Sequence, residues 1–138
     1  MKSLRLSGLL LAAATLLTTV LVTPADATTP GAATADRPVS RLTLTVKAPN
    51  GTKTTVHLDC QPAGGSHPKP ERACLEVSDA RGNLNHLSGS PDMIACTMEY
   101  RPVVAVARGH WHGKRVRWEH QYPNPCTLLY RTGVVFDF

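Results

Sequence analysis

Four cysteines, Cys60, Cys74, Cys96 and Cys126, constrain the fold of this 138-residue chain more than any other feature. Their spacings contain no Cys-x-x-Cys pair, which disfavours a zinc ribbon or a thioredoxin-like redox site. Outside the cell, four cysteines in a small domain are typical of two structural disulfides, and three pairings are possible. The interpretation of the cysteines therefore depends on whether the chain is exported.

The N-terminal segment has the pattern of a secretory signal peptide. Lys2 and Arg5 precede an apolar run over residues 9–22, and the small-x-small sequence Ala25-Asp26-Ala27 follows. Threonines interrupt the apolar run, and a membrane anchor needs about 20 apolar residues. We therefore expect a signal peptide, a flexible mature N-terminus and one folded domain, at residues 1–27, 28–38 and 39–138. The mature protein is expected to be secreted and to have no membrane contact.

The predicted mature chain carries a mild positive charge. Of 15 Lys+Arg and 10 Asp+Glu in the full sequence, Lys2, Arg5 and Asp26 leave with the signal peptide, so 13 basic and 9 acidic residues remain. A basic run at Lys114, Arg115 and Arg117 lies beside acidic residues. A formal charge of +4 is small for a polyanion binder, so nucleic acid is not expected as a partner.

Alternation of apolar and polar residues predicts two strands at the start of the domain. Residues 42–47 alternate, residues 53–58 alternate again, and Asn50-Gly51 between them is a signal for a two-residue hairpin turn. The Pro- and Gly-rich stretch 61–70 is expected to be a loop.

One helix is predicted after this loop. Pro70 suits the first helical position, and Gly82 suits a helix end. Between them Ala73, Val77 and Ala80 form an apolar stripe at helical spacing.

The C-terminal part of the chain is predicted to consist of strands. The apolar run 103–107 is typical of a strand covered on both faces, and residues 115–122 alternate like a strand with one buried face. Gly109 and Gly113 are expected to bracket the turn between these two strands. A last strand is predicted from the alternation of Val134, Phe136 and Phe138.

Candidate catalytic and metal-binding residues each have a simpler structural explanation. His110-Trp111-His112 lacks a third nearby ligand and is expected to be a surface turn, so neither a metal nor a cofactor is expected. His57, Glu119 and His120, together with arginines, could supply the acid, base and phosphate clamp of a small secreted ribonuclease. Such residues on alternating strands are usually solvated. No Gly-x-Ser-x-Gly sequence is present for a serine hydrolase.

The segment Cys96-Thr97-Met98-Glu99-Tyr100-Arg101-Pro102 is the most informative part of the chain. Met98 stands two residues after a cysteine expected to be bridged, and Pro102 restrains the other end. One interpretation is a disulfide-anchored loop in which Met98 is half buried as a filler. The other is an exposed, extended segment that lies in the cleft of another protein at little ordering cost.

In the order and spacing of its motifs the sequence resembles the subtilisin-inhibitor family of Streptomyces. The members of this family are small secreted inhibitors of serine proteases. The resemblance covers residues 42–138 and includes all four cysteines. The matching motifs are Leu44-Thr45-Val46, Leu58-Asp59-Cys60, His67-Pro68, Ala73-Cys74, Asn83-Leu84-Asn85-His86-Leu87, residues 96–103, Trp111-His112-Gly113-Lys114-Arg115-Val116, Cys126, and Val135-Phe136-Asp137-Phe138.

The resemblance implies an α+β fold, a five-stranded antiparallel sheet packed with two short helices. It also implies two disulfides that pair the cysteines in sequence order, Cys60 with Cys74 and Cys96 with Cys126. Members of the family form dimers through their sheets, so a homodimer is expected.

The resemblance also places a reactive bond at Met98-Glu99. Met98 falls where the family has the residue that enters the primary specificity pocket of the protease. Ala95, Cys96 and Thr97 would lie on the acyl side of the bond, and Tyr100 and Arg101 would follow Glu99 on the leaving side. Thr97 stands where a proline is familiar in the family, and Glu99 where a small apolar residue is familiar.

The sequence therefore predicts a secreted, non-enzymatic protein that binds subtilisin-like serine proteases like a substrate and inhibits them. A small secreted nuclease is the main alternative. A non-enzymatic cell-surface binding module is the third.

Overall fold

The computed structural model describes residues 39–90 and 95–138, and within them five antiparallel strands form one sheet with helices packed on one face. The strands lie side by side in the order β3-β2-β1-β4-β5. The elements are β1 (Ser40–Lys47), β2 (Lys53–Cys60), β3 (Gly64–Gly65), α1 (Pro70–Asp79), a 3-10 helix (Leu84–His86), β4 (Val103–Trp111), β5 (Lys114–Tyr122), α2 (Pro125–Thr132) and a second 3-10 helix (Gly133–Phe136). The α+β fold with two short helices is confirmed.

The first two strands pair as the alternation predicts, but their connection is longer than a two-residue turn. Lys47 is the last residue of β1 to pair, and it lies opposite Lys53, so five residues form the loop. Within the loop the backbone N–H of Ala48 donates to the carbonyl of Thr52 at 2.8 Å. Gly51 adopts a φ of 84°, which favours glycine.

The core lies between the helices and one face of the sheet, which we call the helix face. Leu42, Leu44 and Leu58 are fully buried there. Helix α1 begins at Pro70 as predicted and buries Ala73 and Val77 against this face. The Cys60–Cys74 disulfide joins β2 to α1. Burial of these side chains stabilises the packing of the helices on the sheet, because removal of apolar surface from water is the main driving force for folding.

The opposite face of the sheet, which we call the outer face, has no helix on it within the described residues. The expected strand over residues 103–107 exists, and it lies inside β4. On the outer face Val106 is only 5% exposed and Val104 is half-buried, so neighbouring strands shield them. The apolar run therefore reflects a strand in the interior of the sheet, with helices on the helix face only.

The hairpin between β4 and β5 differs from the prediction. Gly109 is not part of the turn, because β4 continues to Trp111 and the turn consists of His112 and Gly113. Both turn residues have positive φ, 47° and 76°. Gly109 lies close to the backbone of Arg41, and a side chain at this position would meet the carbonyl oxygen of Arg41.

The predicted C-terminal strand is wrong. Residues Gly133–Phe136 form a 3-10 helix in which adjacent residues, Val135 and Phe136, are both buried. Alternation of apolar residues misled the prediction, because Gly133 turns the chain with a φ of 57°. The carboxylate of Glu76 on α1 then accepts a hydrogen bond from the backbone N–H of Val134 at 3.1 Å.

Three further elements were not found from periodicity, and one of them is the 3-10 helix Leu84–His86. Helix α2 follows Pro123-Asn124, and β3 is a two-residue strand inside the expected loop 61–70. The disulfides are Cys60–Cys74 and Cys96–Cys126, which confirms the pairing that the resemblance implied. In residues 39–90 and 95–138 no helix is long and apolar enough to cross a membrane. The predicted signal peptide and flexible N-terminus lie outside the described residues.

Candidate functional site

The segment 95–101 is exposed and lies outside every helix and strand. The Met98 side chain is 98% exposed and that of Tyr100 is 72% exposed, more than any other large apolar side chain among the described residues. Thr97 and Glu99 on either side of Met98 are also exposed. The interpretation of Met98 as a half-buried filler is therefore wrong, and the segment presents its side chains to solvent.

Covalent and backbone contacts fix both ends of the segment. On the N-terminal side Cys96 is bonded to Cys126 in the first turn of α2, with 5.6 Å between their Cα atoms. On the C-terminal side the backbone N–H of Arg101 donates to the carbonyl of Pro123 at 2.8 Å. The chain then enters β4 at Val103. These anchors reduce the entropy that the segment loses when it binds.

Asn124 connects the two sides of Met98. Its side-chain Nδ2 donates to the carbonyl oxygens of Thr97 and Glu99, both at 3.0 Å. Its Oδ1 accepts from the backbone N–H of Thr127 at 2.8 Å and from the Thr127 hydroxyl at 3.0 Å. Asn124 is only 5% exposed, so these bonds are shielded from water. One side chain thus holds the backbone before and after Met98.

The local sequence explains why Asn124 can serve this purpose. Asn124 is the N-cap of α2, with extended backbone, and Pro125 occupies the first turn. An N-cap side chain satisfies an N–H group at the helix start and is fixed by that bond. Sequence reasoning missed Asn124, although Asn followed by Pro is a helix-start signal that could have identified both α2 and its cap.

Tyr122 ends β5 just before this anchor, and it is buried. Burial raises the pKa of its phenol, while the nearby Arg131 guanidinium acts in the opposite direction. The phenol is therefore neutral over the physiological pH range, and the base of the segment contains no charge from this residue.

The structure does not assemble the ribonuclease constellation. His57 and Glu119 point to the outer face, where His57 pairs across strands with Thr43 and Glu119 with Val106. His120 lies opposite Ala105 on the helix face, where its ring is 4.7 Å from that of Tyr122. The sheet thus separates His120 from the other two residues.

The sequence His110-Trp111-His112 is only partly a surface turn, because its first two residues end a strand and only His112 belongs to the turn. His110 and Trp111 belong to β4, and Trp111 is buried beside Gly82. Within residues 39–90 and 95–138 no group of three or more His, Cys, Asp or Glu side chains could hold a metal ion.

The segment geometry defines a class of protein with an exposed stretch of backbone that a disulfide and hydrogen bonds hold in place. A model of the subtilisin inhibitor-like family matches residues 38–124, which include the segment and Asn124. A protease inhibitor of Streptomyces netropsis is 40% identical over 105 residues, which cover 72% of this chain and 96% of that protein. The chain belongs to the subtilisin inhibitor-like family.

The names of two other similar proteins include their targets. The transglutaminase-activating metalloprotease inhibitor of Streptomyces mobaraensis is 38% identical over 105 residues, which cover 72% of this chain and 71% of that protein. The crystal structure of Streptomyces caespitosus sermetstatin in complex with Bacillus licheniformis subtilisin matches with a TM-score of 0.62 and 31% identity. That match covers 72% of this chain and 99% of the sermetstatin chain.

Proposed function

We propose that this chain inhibits subtilisin-like serine proteases by binding like a substrate, with Met98-Glu99 as the reactive bond. The observation that supports this most is the double hydrogen bond from Asn124 to the carbonyls of Thr97 and Glu99. A substrate needs only exposure, whereas an inhibitor must also retain both halves of the chain after cleavage. Asn124 contacts both halves.

The Met98 side chain suits an apolar specificity pocket. It is unbranched, apolar and 98% exposed, so it enters a pocket without first leaving a packed environment. The extended residues around it can add to strands that line a protease cleft, with alternate side chains filling neighbouring pockets. Ala95, Cys96 and Thr97 lie on the acyl side, and Glu99, Tyr100 and Arg101 lie on the leaving side.

The chemistry is reversible cleavage. The serine oxygen of the protease attacks the carbonyl carbon of Met98, the Met98-Glu99 C–N bond breaks, and the new Glu99 amine takes up the proton. The Cys96–Cys126 bridge and the Asn124 bonds keep this amine beside the acyl-enzyme. Effective molarities of about 10⁵ M or more for well-oriented groups favour re-formation of the peptide bond over hydrolysis.

The similar proteins support this proposal. The Streptomyces netropsis relative is a protease inhibitor, and the structural neighbour from Streptomyces caespitosus is bound to subtilisin. The family match extends over the whole of the segment 95–101.

Thr97 and Glu99 affect the strength of inhibition. Thr97 lacks the ring that would restrain a proline, and its carbonyl bond to Asn124 supplies part of that restraint instead. Glu99 places a carboxylate next to the catalytic histidine of the protease, which selects among proteases by the charge around their active sites.

Substitution at Met98 tests the reactive bond. Met98→Lys should weaken inhibition of subtilisin and create inhibition of trypsin, whose specificity pocket has an acidic floor. The matched control is Leu75→Lys, because Leu75 is another exposed apolar side chain, 64% accessible, on α1. Both variants are titrated against subtilisin, trypsin and chymotrypsin at stoichiometric concentrations.

The control should retain the profile of the original chain. If Met98→Lys and Leu75→Lys give the same profile as the original chain, the reactive bond is elsewhere. If no protease is inhibited stoichiometrically, the proposed function is wrong.

Metalloprotease inhibition is a second candidate, because the Streptomyces mobaraensis relative is a metalloprotease inhibitor. A zinc-dependent protease is added to the same titration. If Met98→Lys no longer inhibits the zinc-dependent protease, inhibition of serine proteases and of metalloproteases both depend on the segment 95–101. Unchanged inhibition would place the second activity on another surface.

Secretion and dimerisation remain part of the proposal. Cleavage after Ala27 would deliver the domain to the outside of the cell, where its disulfides are stable. A dimer would cover the uncharged part of the outer face around Thr45, Val104 and Val106. Sedimentation at micromolar concentration should then give twice the mature chain mass.

A further inference from the structure

The loop between β1 and β2 contains Asn50-Gly51, the only Asn-Gly pair in the sequence. The two strands pair up to Lys47 and Lys53, so this pair lies inside the loop that joins them. Asn50 and Gly51 are both exposed. Gly51 has a φ of 84°, and a Cβ at this position would meet no atom within 4 Å apart from those of its chain neighbours. The backbone between the two residues is therefore open to solvent.

The Asn50 side chain is folded back along the chain. Its Oδ1 accepts a hydrogen bond from the backbone N–H of Thr52 at 3.0 Å, which makes an Asx turn. In such a turn the side-chain carbonyl carbon of the asparagine lies beside the backbone nitrogen of the next residue. The hydrogen bond to Oδ1 also stabilises the negative charge that develops on this oxygen when a nucleophile adds to the carbon. The geometry thus favours attack by the Gly51 nitrogen on Asn50.

We propose that Asn50 is a site of spontaneous deamidation, which needs no enzyme and no partner. The Gly51 nitrogen loses its proton to hydroxide, attacks the side-chain carbonyl carbon of Asn50 and closes a succinimide ring. The bond from this carbon to the side-chain amide nitrogen breaks, and that nitrogen leaves as ammonia after it takes up a proton from water. A water molecule then adds to one of the two ring carbonyls and opens the ring. The product is aspartate or isoaspartate at this position.

One backbone hydrogen bond has to open before the reaction. The N–H of Gly51 donates to the carbonyl of Ala48 at 3.0 Å, so the nitrogen is protected while the turn is closed. Pro49 and Thr52 are exposed, and the turn carries no fully buried side chain that would resist opening. Local opening of such a loop costs far less free energy than unfolding of the domain. Glycine then reaches the backbone conformation for attack at little steric cost.

Asn83 provides a matched comparison within the same chain. Its Oδ1 accepts from the backbone N–H of Asn85 at 3.1 Å, which is the same arrangement as at Asn50. The residue that follows is Leu84, which begins a 3-10 helix and is only 3% exposed. Attack by the Leu84 nitrogen would require this side chain to leave the core. Asn124 precedes Pro125, whose nitrogen carries no proton to lose.

The modified position lies next to the exposed segment 95–101. Asn50 and Arg101 line the same cavity of about 310 Å³, together with Val103 and Pro125. Arg101 forms no ion pair with the described residues. Deamidation replaces a neutral amide by a carboxylate at this cavity, so the positive charge near the end of the segment is reduced. Isoaspartate also lengthens the main chain of the loop, while the paired strands remain as they are.

Timed incubation of the purified chain tests the proposal. Samples are held under native conditions at pH 6, pH 7 and pH 8, digested at low pH, and analysed by mass spectrometry. The peptide with Asn50 should gain the mass difference between OH and NH₂, and should separate into aspartate and isoaspartate forms. The rate should rise in proportion to the hydroxide concentration. The peptide with Asn83 should keep its mass over the same period.

Two variants assign the reaction to the proposed atoms. Gly51→Ala should slow the reaction about tenfold or more, because a Cβ beside the attacking nitrogen raises the barrier by at least about 1.4 kcal/mol. Asn50→Gln should abolish the acidic form in ion-exchange chromatography, since its longer side chain does not close the same ring. Asn50→Asp marks where the aspartate form elutes. Circular dichroism confirms that each variant is folded.

Four results would overturn the proposal. Equal rates at Asn50 and Asn83 would show that the Asn-Gly loop has no special reactivity. An unmodified Asn50 in the native chain, over a period in which the unfolded chain is fully converted, would show that the closed turn protects it. An unchanged rate in Gly51→Ala would exclude the Gly51 nitrogen as the nucleophile. A rate independent of pH would exclude loss of the Gly51 proton to hydroxide.

Discussion

The exposed segment 95–101 and the C-terminal segment 133–138 are both short stretches without strand pairing, yet they are held in opposite ways. The C-terminal segment is fixed by burial, with Val135 fully buried and Phe136 2% exposed. The exposed segment is fixed by a disulfide and by the side chain of Asn124, with Met98 almost fully exposed. Burial removes the side chains of a segment from solvent, whereas anchoring at both ends leaves them exposed and able to contact a partner.

Contacts around the C-terminal segment show how burial fixes a segment. The His67 ring is 4% exposed, and its Nε2 donates to the carbonyl of Val135 at 3.3 Å. The ring also lies at the edge of Phe138, with 5.8 Å between centroids. Lys69 pairs with Asp137 at 2.7 Å. These contacts stabilise the domain, and none of them involves the exposed segment 95–101.

Removal of the Cys96–Cys126 bridge should have the largest effect. Cys96→Ser/Cys126→Ser should lower the free energy of unfolding by about 3.5 kcal/mol, because the bridge closes a loop with a sequence separation of 30. The freed segment loses the proximity on which re-formation of the peptide bond depends. Inhibition of subtilisin should then decay over hours, and mass spectrometry should show cleavage at Met98-Glu99.

The other bridge is the matched control. Cys60→Ser/Cys74→Ser should cost about 3 kcal/mol for its separation of 14, and inhibition should persist wherever circular dichroism shows a folded chain. Persistent inhibition by the Cys96→Ser/Cys126→Ser variant would show that the rest of the scaffold holds the segment without this bridge.

Substitution of Asn124 separates the helix cap from the tether. Asn124→Asp keeps an oxygen that accepts from Thr127 but removes the Nδ2 donor to Thr97 and Glu99. Two lost hydrogen bonds amount to about 2 kcal/mol, so inhibition should decay about thirtyfold faster. Asn124→Ala should show the same decay and an additional loss of about 1 kcal/mol in stability from the missing cap. Unchanged inhibition in both variants would mean that Asn124 does not act as a tether.

The smallest effect concerns pH and the C-terminal segment. Burial lowers the pKa of His67. Its hydrogen bonds to the backbone of Val135 and of Lys69 act in the opposite direction and raise the pKa. Because the unfolded chain takes up this proton first, stability should fall as pH drops below about 6.5, by at most about 1.4 kcal/mol per pH unit. The fall should end once pH is below the lowered pKa of the folded state.

Urea unfolding between pH 7 and pH 5 measures this effect. His67→Gln should show a shallower pH dependence than the original chain, and the exposed His110→Gln should not. The raised pKa of Glu76, which is due to burial, acts in the opposite direction at lower pH and is common to all three proteins. Equal pH dependence in the three proteins would exclude His67 as the source.

The periodicity of apolar residues predicts the regular strands and the first helix. Strands β1 and β2, the helix from Pro70 and the alternating strand β5 appear where the residue patterns place them. The prediction for the C-terminal residues fails because Val135 and Phe136 are buried side by side, which depends on packing against α1, α2 and β1. Alternation over so few residues cannot distinguish a strand from a short 3-10 helix packed on the core.

The candidate site was only partly visible in the sequence. Met98 is marked by its position after Cys96, and the resemblance to a family gave it a role. Asn124 lies 26 residues further along the chain, and its contact with Thr97 depends on the Cys96–Cys126 bridge and on the start of α2. Cross-strand charge pairs such as Arg108 with Arg117 depend on register, which the hairpin at His112-Gly113 sets.

Prolonged incubation with catalytic amounts of subtilisin tests the central claim most directly. Mass spectrometry of the recovered chain should show the original mass together with a form heavier by one water, because the Cys96–Cys126 bridge joins the two halves. After reduction the heavier form should separate into two fragments, one ending at Met98 and one beginning at Glu99. Cleavage at any other bond, or rapid digestion to many fragments, would contradict the claim that this segment is a tethered, resealable substrate.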